Sequence, residues 1–275
     1  MIRGSSGVSQ LSILIVSCDR YADIWPAFFT LFWRYWPDCP YPVLLGANRQ
    51  AYCNDRVATV LTGDDPSWGE STRRMVQQVE STHVLVMLED FFLLKPVDAD
   101  QVERCLSCLC SLDGGYLRLK PFPKPDRRVK GCPMIGEIDR GAPYRSALQA
   151  AIWRRDTLLR LLEDGESAWD MELFGSRRSD FLQAGFYSTW QSILAYEAGV
   201  TRGKWLPWAV KLCDREGIKV DLDMRPVMSA KEYRRQRGRR LLLDMFNRIP
   251  WRRRRPIGDL LRRVGLLPPR REGFA

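Results

Sequence analysis

The sequence predicts an α/β protein whose central, mostly parallel sheet is flanked by helices. Two continuous apolar runs, residues 11–16 and 84–88, are typical of strands buried on both faces. Helical and strand-like patterns alternate through the first 120 residues, as they do in a doubly wound, Rossmann-like sheet. A chain of 275 residues is also long enough to bury a large core.

The other elements of this region follow in a regular order. Further strands are predicted over residues 41–45, 57–61 and 115–119. Polar residues that precede helical patterns are expected to cap three helices, and these residues are Asp23, Ser67 and Asp98. The helix after Asp23 carries an aromatic face. The helix after Ser67 is expected to run to about Glu80 and to lead directly into the second apolar run.

The winding of this sheet determines which strand ends meet. Connections between parallel strands are almost always right-handed, and ligands bind at the carboxyl ends of strands where the winding changes direction. If the chain starts at the first apolar run, winds outward and then crosses back, the strand order is 3-2-1-4. Residues 17–20, Ser-Cys-Asp-Arg, would then lie beside Glu89 and Asp90 in the crevice where nucleotides bind.

Glu89 and Asp90 stand at the end of the second apolar run and are followed at once by more apolar residues. Burying two adjacent like charges is costly unless a cation or several hydrogen bonds compensate them. This position therefore fits a ligand site at the carboxyl end of the strand. The alternative is that both carboxylates begin a solvated loop or cap the next element.

Residues 121–143 are predicted to be a long loop, because they contain five Pro and three Gly. Long irregular segments in compact domains are usually either functional or disordered. The five Lys or Arg of this loop suit a phosphate-bearing ligand, although a solvated basic loop explains them equally well. The same two interpretations apply to Lys204 and Lys211.

Two later segments contain candidate ligand contacts. Gln149 lies amid Ala and Ile, so it is either a structural hydrogen-bond hub or a ligand contact. Ser167 followed by Asp170 predicts a helix start, which would place Trp169 and Glu172 on one helix face. An aromatic plane beside a carboxylate can hold a sugar ring and accept a hydroxyl proton. The same carboxylates could instead only favour the helix N-terminus electrostatically.

Composition disfavours several classes of protein. No run approaches the roughly 18 apolar residues of a membrane-spanning helix, and residues 1–10 lack the apolar core of a signal peptide. The eight cysteines are scattered and the chain has one His, which disfavours a zinc site and a disulfide framework. Free cytoplasmic thiols are expected.

The positive charge of the chain is concentrated at its C-terminus. Residues 231–275 contain 15 Lys or Arg against 4 Asp or Glu, whereas the rest of the chain is close to neutral. Arginine clusters alternate there with Leu, Met, Phe and Trp, which favours a helix on an anionic membrane surface through residues 231–271. Nucleic-acid binding is the alternative, but no nucleic-acid motif is present. We therefore expect one domain at 1–228 and a basic amphipathic helical appendage at 229–275.

Six segments taken together have a recognisable pattern: SILIVSCDRY, YWPDCPYPVLLG, VLVMLEDFFL, QAAIWRRDTLL, GESAWDMELFGS and GKWLPWAVKL. They resemble a family of bacterial glycosyltransferase-like proteins of surface-polysaccharide biosynthesis, that is, of lipopolysaccharide and capsule. The resemblance covers about residues 11–228. It implies the GT-A fold and transfer of a sugar from a nucleotide-sugar donor to a saccharide or lipid-linked saccharide acceptor.

The resemblance also implies a metal and a donor site. GT-A enzymes hold a divalent cation with an acidic motif at the end of the fourth strand, where the cation bridges the donor diphosphate. Glu89 and Asp90 occupy that place and would hold Mg²⁺ or Mn²⁺. Cys18, Asp19 and Arg20 would face the nucleotide sugar. The motif is Glu-Asp-Phe rather than Asp-x-Asp, and the late His ligand of many GT-A enzymes is missing.

The acceptor side follows from the same resemblance. In inverting members a carboxylate at a helix start deprotonates the acceptor hydroxyl, and Glu172 would have this role, with Asp170 as the alternative. Gln149, Trp153 and Trp169 would contact the acceptor sugar. The expected protein is an inverting glycosyltransferase in the cytoplasm, peripheral at the inner face of the cell membrane.

Two other functions stay open at this point. A nucleotidyltransferase could use a similar sheet, but it usually needs a Gly-rich phosphate loop after the first strand, and SCDRYAD contains no glycine. A non-catalytic adaptor could bind nucleic acid or a membrane through the arginine-rich tail, with the acidic pair playing only a structural part.

Overall fold

The computed structural model describes residues 10–64, 66–247, 249, 251 and 252. It confirms the expected α/β architecture, a large and mostly parallel central sheet with helices on both faces. About half of the basic segment 231–271, which was predicted to contact an anionic membrane, lies outside the described residues.

The central sheet contains nine strands. They are β1 (Leu11–Val16), β2 (Val43–Ala47), β3 (Ala58–Leu61), β4 (His83–Leu88), β6 (Gly114–Arg118), β7 (Arg127–Arg128), β8 (Ile135–Glu137), β9 (Ala151–Arg154) and β10 (Gly185–Thr189). Two small antiparallel pairs complete the strands, namely β5 (Phe91–Leu93) with β11 (Tyr196–Ala198) and β12 (Val200–Thr201) with β13 (Lys204–Trp205).

The helices connect these strands and end the described chain. They are α1 (Trp25–Tyr35), α2 (Trp68–Gln77), α3 (Ala99–Ser111), α4 (Arg155–Leu161), α5 (Ala168–Asp170), α6 (Ser176–Arg178), α7 (Pro207–Arg215) and α8 (Ala230–Asn247). A π-helical turn, Met171–Gly175, joins α5 to α6, and short 3₁₀ turns cover Asp19–Tyr21 and Ser179–Phe181.

The strand order is β3-β2-β1-β4-β9-β6-β10-β8-β7, so the predicted winding of the first four strands is confirmed. β9 runs antiparallel between β4 and β6, which makes β4 and β6 point the same way. β10 is parallel to β6. The carboxyl ends of β1, β4, β6 and β10 therefore lie along one edge of the sheet, together with the start of β9.

Alternate residues of the central strands face two separate cores. Ile13 and Ile15 of β1 pack in the core that contains the apolar residues of α1, α3 and α7. Leu14 and Val16 pack in the core that contains those of α2 and α4. This arrangement explains why the strand reads as a continuous apolar run, because both of its faces are covered by helices.

The predicted helix caps are correct in two cases of three. The Ser67 hydroxyl accepts a hydrogen bond from the Glu70 amide (3.1 Å), and the Asp98 carboxylate accepts one from the Gln101 amide (3.1 Å). The prediction for Asp23 is wrong, since Ile24 occupies the position before α1 and no side chain caps that helix. The Asp23 carboxylate instead binds a distant cation, Arg225.

The C-terminal helix contacts the body of the protein through ion pairs. Glu232 of α8 pairs with Lys204 (2.8 Å), and Arg240 pairs with Glu197 of β11 (2.6 Å). Further along, Arg252 pairs with Asp139 (2.9 Å). In the part of the chain that the structure describes, no helix has the length and apolar character needed to cross a membrane.

Candidate active site

The carboxyl edge of the sheet gathers chemically active side chains from several strands. Cys18 follows β1, Glu89 and Asp90 follow β4, Gln149 precedes β9, and Arg118 is the last residue of β6. β1 and β4 are direct neighbours. The strands that follow β1 in the chain, β2 and β3, lie on one side of it, and the chain then crosses to β4 on the other side. This is the topological switch point at which open α/β sheets bind their ligands.

The acidic turn after β4 is held in a low-dielectric environment. Glu89 and Asp90 are both half-buried. Burial raises the pKa of Glu89, and the neighbouring Asp90 carboxylate raises it further. Burial also raises the pKa of Asp90. The Oδ1 atom of Asp90 is buried and has no hydrogen-bond partner among the described residues, so this carboxylate oxygen is free to accept a ligand.

The end of β1 lies beside this turn, as the strand order predicted. Burial and the Glu89 charge raise the pKa of the Cys18 thiol, whereas Arg20 lowers it. The pKa of Tyr21 is raised by the same two influences, burial and the Glu89 charge. The structure therefore brings Cys18 and Tyr21 within electrostatic range of the acidic pair, whereas Arg20 acts on Cys18.

Asp19 organises the loop that follows β2. Its carboxylate accepts hydrogen bonds from the backbone amides of Asn48 (2.9 Å), Arg49 (3.0 Å) and Gln50 (3.2 Å). In return, the Asp19 amide donates to Asn48 Oδ1 (3.0 Å). Nδ2 of Asn48 is buried and has no partner among the described residues, so it is an available donor on the β1 side of the site. Sequence analysis did not identify Asn48, which had no signal beyond its place at a strand end.

Arg225 is a cation whose charge acts on Glu89, and the sequence contained no signal for it. Its guanidinium binds both carboxylate oxygens of Asp23 (2.8 Å each) and the carbonyl of Arg20 (2.9 Å). It also lies 4.6 Å from the centroid of the Tyr21 ring. The Arg225 charge lowers the pKa of Glu89 and so offsets part of the burial effect.

A cavity of about 760 Å³ borders the acidic turn on the side of β9 and β6. Phe91 and Ala198, which are paired between β5 and β11, form part of its wall. The Gly199 amide next to them donates to the Asp90 carbonyl (2.7 Å). The opposite wall comes from the predicted loop, residues 121–143, and from the C-terminal residues Ile249 and Trp251. A cavity of this size suits a small ligand.

Glu172 does not line this cavity, but its carboxylate binds the backbone next to a residue that does. Its carboxylate accepts a hydrogen bond from the Leu148 amide (2.8 Å), next to Gln149 in the cavity wall. Burial raises the pKa of Glu172, while the Leu148 amide and the charge of Arg118 lower it. Asp170 is instead engaged in the predicted capping box, where its carboxylate accepts from the Ser167 amide (3.1 Å) and hydroxyl (2.6 Å).

Gln149 makes a structural hydrogen bond and also lines the cavity. Its Oε1 accepts a hydrogen bond from the Tyr196 hydroxyl (2.6 Å), which connects the start of β9 to β11. The same residue lines the cavity. The structural role is therefore confirmed, and the ligand contact stays a prediction.

The two tryptophans expected on the acceptor side lie elsewhere. Trp153 is 1% exposed and packs against Tyr116 (ring centroids 4.3 Å apart) and Phe186 in the core, so no face of its ring is open to a sugar. Trp169 is 69% exposed at the surface, whereas Glu172 is half-buried. The two side chains therefore lie in different environments, and neither lines the cavity.

The acidic pair fits a cation that is shared with a phosphate ligand. No group of three or more His, Cys, Asp or Glu side chains in the described ranges could enclose a metal ion. Mg²⁺ is commonly held by only one or two carboxylates together with substrate phosphates. Glu89 and the unpartnered Oδ1 of Asp90 supply such a donor set.

The sequence matches no protein-family model and none of the characterised proteins. Solved structures do resemble it. TarS 1–349 from S. aureus in complex with UDP-GlcNAc is 10% identical, with a TM-score of 0.47 over 72% of this chain and 60% of that one. HddC from Yersinia pseudotuberculosis is 12% identical, with a TM-score of 0.44 over 74% of this chain and 99% of that one.

A longer TarS structure is 14% identical, with a TM-score of 0.43 over 68% of this chain. The match covers 36% of that chain, so the present protein spans about a third of its length. Likenesses at this level concern the fold, and the chemistry of the site depends on its own side chains.

Proposed function

We propose that this protein is a glycosyltransferase that moves a sugar from a nucleotide-sugar donor to a saccharide or lipid-linked saccharide acceptor. The observation that carries the proposal is the acidic turn after β4. Two half-buried carboxylates with raised pKa values, one of them with an unpartnered oxygen, lie at the switch point of the sheet beside a cavity of ligand size. Such a turn is costly unless a charged ligand completes it.

The donor would bind across the ends of β1 and β4. Arg20, Cys18 and the Asp19-organised loop after β2 would line the nucleotide side, where Asn48 Nδ2 offers a free donor. Glu89 and Asp90 would hold Mg²⁺ or Mn²⁺ against the donor diphosphate, and the bound cation supplies Lewis-acid stabilisation of the leaving nucleoside diphosphate.

The acceptor would enter the cavity from the β9 and β6 side. Glu172 would accept the proton of the attacking hydroxyl, and its raised pKa brings it closer to neutrality, as general-base catalysis favours. Attack on the face opposite the diphosphate would invert the anomeric centre. Gln149 would orient the acceptor, since it lines the cavity and its Oε1 is held by Tyr196.

The cellular role that we propose is surface-polysaccharide biosynthesis in the cytoplasm, at the inner face of the cell membrane. The support is the charge distribution, because the basic segment 231–271 would attract an anionic bilayer. Leu241, Leu242 and Met245 of α8 are exposed beside its arginines, which provides apolar contacts for the interface. Lipid-linked acceptors would be presented at that surface.

The experiment is thermal unfolding with a panel of nucleoside diphosphates, with and without Mn²⁺. Specific binding at a hundredfold excess over the dissociation constant stabilises a protein by about 2.7 kcal/mol. We expect a Mn²⁺-dependent rise in Tm with one nucleotide, and its loss in Asp90→Asn. Asp113→Asn is the control, because that side chain is 91% exposed and lies in a turn.

Product analysis then separates the rival functions. Release of a nucleoside diphosphate from a nucleotide sugar supports the transferase, whereas release of pyrophosphate from a nucleoside triphosphate and a sugar phosphate would identify a nucleotidyltransferase. If no nucleotide shifts Tm and Asp90→Asn behaves as Asp113→Asn does, the proposal fails. A chain without residues 231–275 would then test the adaptor function.

A further inference from the structure

The cavity beside the acidic turn has a positive wall, and this feature has no role in the donor chemistry above. Four cationic side chains line it, namely Arg118, Lys120, Lys124 and Arg240. Two carboxylates also line it, Asp126 and Glu197. Glu197 is already compensated twice, by Lys120 (3.3 Å) and Arg240 (2.6 Å). The excess charge of the cavity is therefore positive.

Arg118 is the buried part of this wall. Its Nη1 donates to the Tyr144 carbonyl (3.1 Å), its Nη2 to the Pro123 carbonyl (3.0 Å) and its Nε to the Ser188 hydroxyl (3.4 Å). The side chain is 0% exposed, so its charge acts on the cavity from within the wall. Among the described residues, no carboxylate forms an ion pair with it, and the charges of Glu172 and Asp126 act on it only at longer range. A buried cation that is compensated only at longer range is costly, and an anionic ligand in the cavity would add to its compensation.

The other walls suit a sugar ring. Phe91 and Tyr196 form a stacked pair at the cavity, with ring centroids 4.5 Å apart, and Trp251 also lines it. Prolines of the 121–143 loop add apolar surface. Lys124 is exposed at the rim, where it can contact a charged group that enters. Apolar walls with few polar groups and a charged end are typical of a site for a small charged ligand.

We propose that this cavity selects an acceptor saccharide that carries an anionic group, a carboxylate or a phosphate, which binds Lys124 and is attracted by the buried charge of Arg118. This inference rests on the proposed function, because only a glycosyltransferase has an acceptor saccharide. The preference of the cavity for a charged ligand can be tested independently of that function. The acidic pair lies between β1 and this cavity, so the donor diphosphate belongs on the other side of Glu89 and Asp90. The low-dielectric walls would strengthen the attraction.

The experiment is saturation-transfer NMR on the full chain with glucuronate, glucose 6-phosphate and glucose at equal ionic strength. We expect at least one charged sugar to bind about tenfold or more tightly than glucose, as one charge-assisted hydrogen bond allows. Equal binding of charged and uncharged sugars, or no binding of any, would overturn the inference. This comparison uses the wild-type protein and therefore does not depend on how a buried variant folds.

Variants then locate the charge. Lys124→Met should lower the affinity for the charged sugar several-fold and leave glucose unchanged, and Arg118→Met should lower it about tenfold if the variant folds. Lys130→Met is the matched control, because Lys130 is exposed in the same loop but does not line the cavity. Equal effects of Lys124→Met and Lys130→Met would overturn the assignment.

Nucleotide binding separates this inference from the proposed function. A Mn²⁺-dependent nucleotide shift without any preference for charged sugars would refute only the anionic acceptor. A preference for charged sugars without a nucleotide shift would refute only the glycosyltransferase. If Lys124→Met weakens nucleotide binding and charged sugars do not bind, the positive wall serves the donor and the inference is wrong.

Discussion

Arg225→Met would break the buried ion pair that joins residues 221–228 to the end of β1. Arg225 and Asp23 have side chains that are only 8% and 3% exposed, and they form two hydrogen bonds of 2.8 Å. The substitution leaves the Asp23 carboxylate buried without its cation and frees the Arg20 carbonyl. Removing one partner of such a pair costs about 3–5 kcal/mol of unfolding free energy.

Urea unfolding at pH 7 measures this cost, with an exposed ion pair as the control. Arg49 pairs with Asp64 at the surface, where the side chains are 74% and 82% exposed, so Arg49→Met should change stability by less than about 1 kcal/mol. The double variant Asp23→Leu/Arg225→Met should regain much of the lost stability, because no charge then remains buried. A loss for Arg225→Met no larger than that of Arg49→Met would refute the reasoning, as would a double variant that is less stable than the single one.

Three further outcomes are expected. In EDTA, Asp90→Asn should be about 1–3 kcal/mol more stable than the wild type at pH 7, and the gain should vanish below about pH 4. The raised pKa values of Glu89 and Asp90 mean that the native state binds more protons than the unfolded chain, so the stability of the wild type falls as the pH rises through these pKa values. An Asp90→Asn protein that is less stable than the wild type in urea unfolding at pH 7 would contradict this. Glu172→Gln should slow sugar transfer by at least about a hundredfold and leave the nucleotide-induced Tm shift unchanged, whereas loss of that shift would show a structural role. Trp153→Ala should cost about 3–5 kcal/mol and Trp169→Ala less than about 0.5 kcal/mol, and similar costs in urea unfolding would disagree with their burial.

Local patterns predicted the first half of the fold because its determinants are local. The apolar runs of β1 and β4 mark strands covered on both faces, and the handedness of crossovers then leaves few windings. The caps at Ser67 and Asp98 form within three residues, so the sequence contains both partners. The same winding makes β1 and β4 neighbours, so Cys18 lies close to the acidic turn.

The acceptor side was predicted less well, and particular residues show why. Trp153 belongs to a strand that is covered on both faces. In such a strand apolar and polar residues do not alternate, so the sequence does not show which side chains are open to a ligand. Trp169 and Glu172 follow a helical spacing of three residues, but that spacing does not determine which side chains are buried, since Trp169 is 69% exposed and Glu172 is half-buried. Asp23 has the sequence signature of a cap, but a charged partner 202 residues away binds it more strongly.

The sequence by itself determined the buried strands β1 and β4, the acidic turn after β4 and the concentration of charge at the C-terminus, and it left the observed strand order as one of a few possible windings. Only the tertiary structure decided that the Arg225 charge acts on Glu89, that Arg118 and Gln149 line one cavity, and that Ile249 and Trp251 also line it. The physical reason is the distance along the chain over which each property is set. Periodicity and capping depend on neighbours within a few residues, whereas burial, ion pairing and pKa depend on side chains that the packing of distant segments brings together.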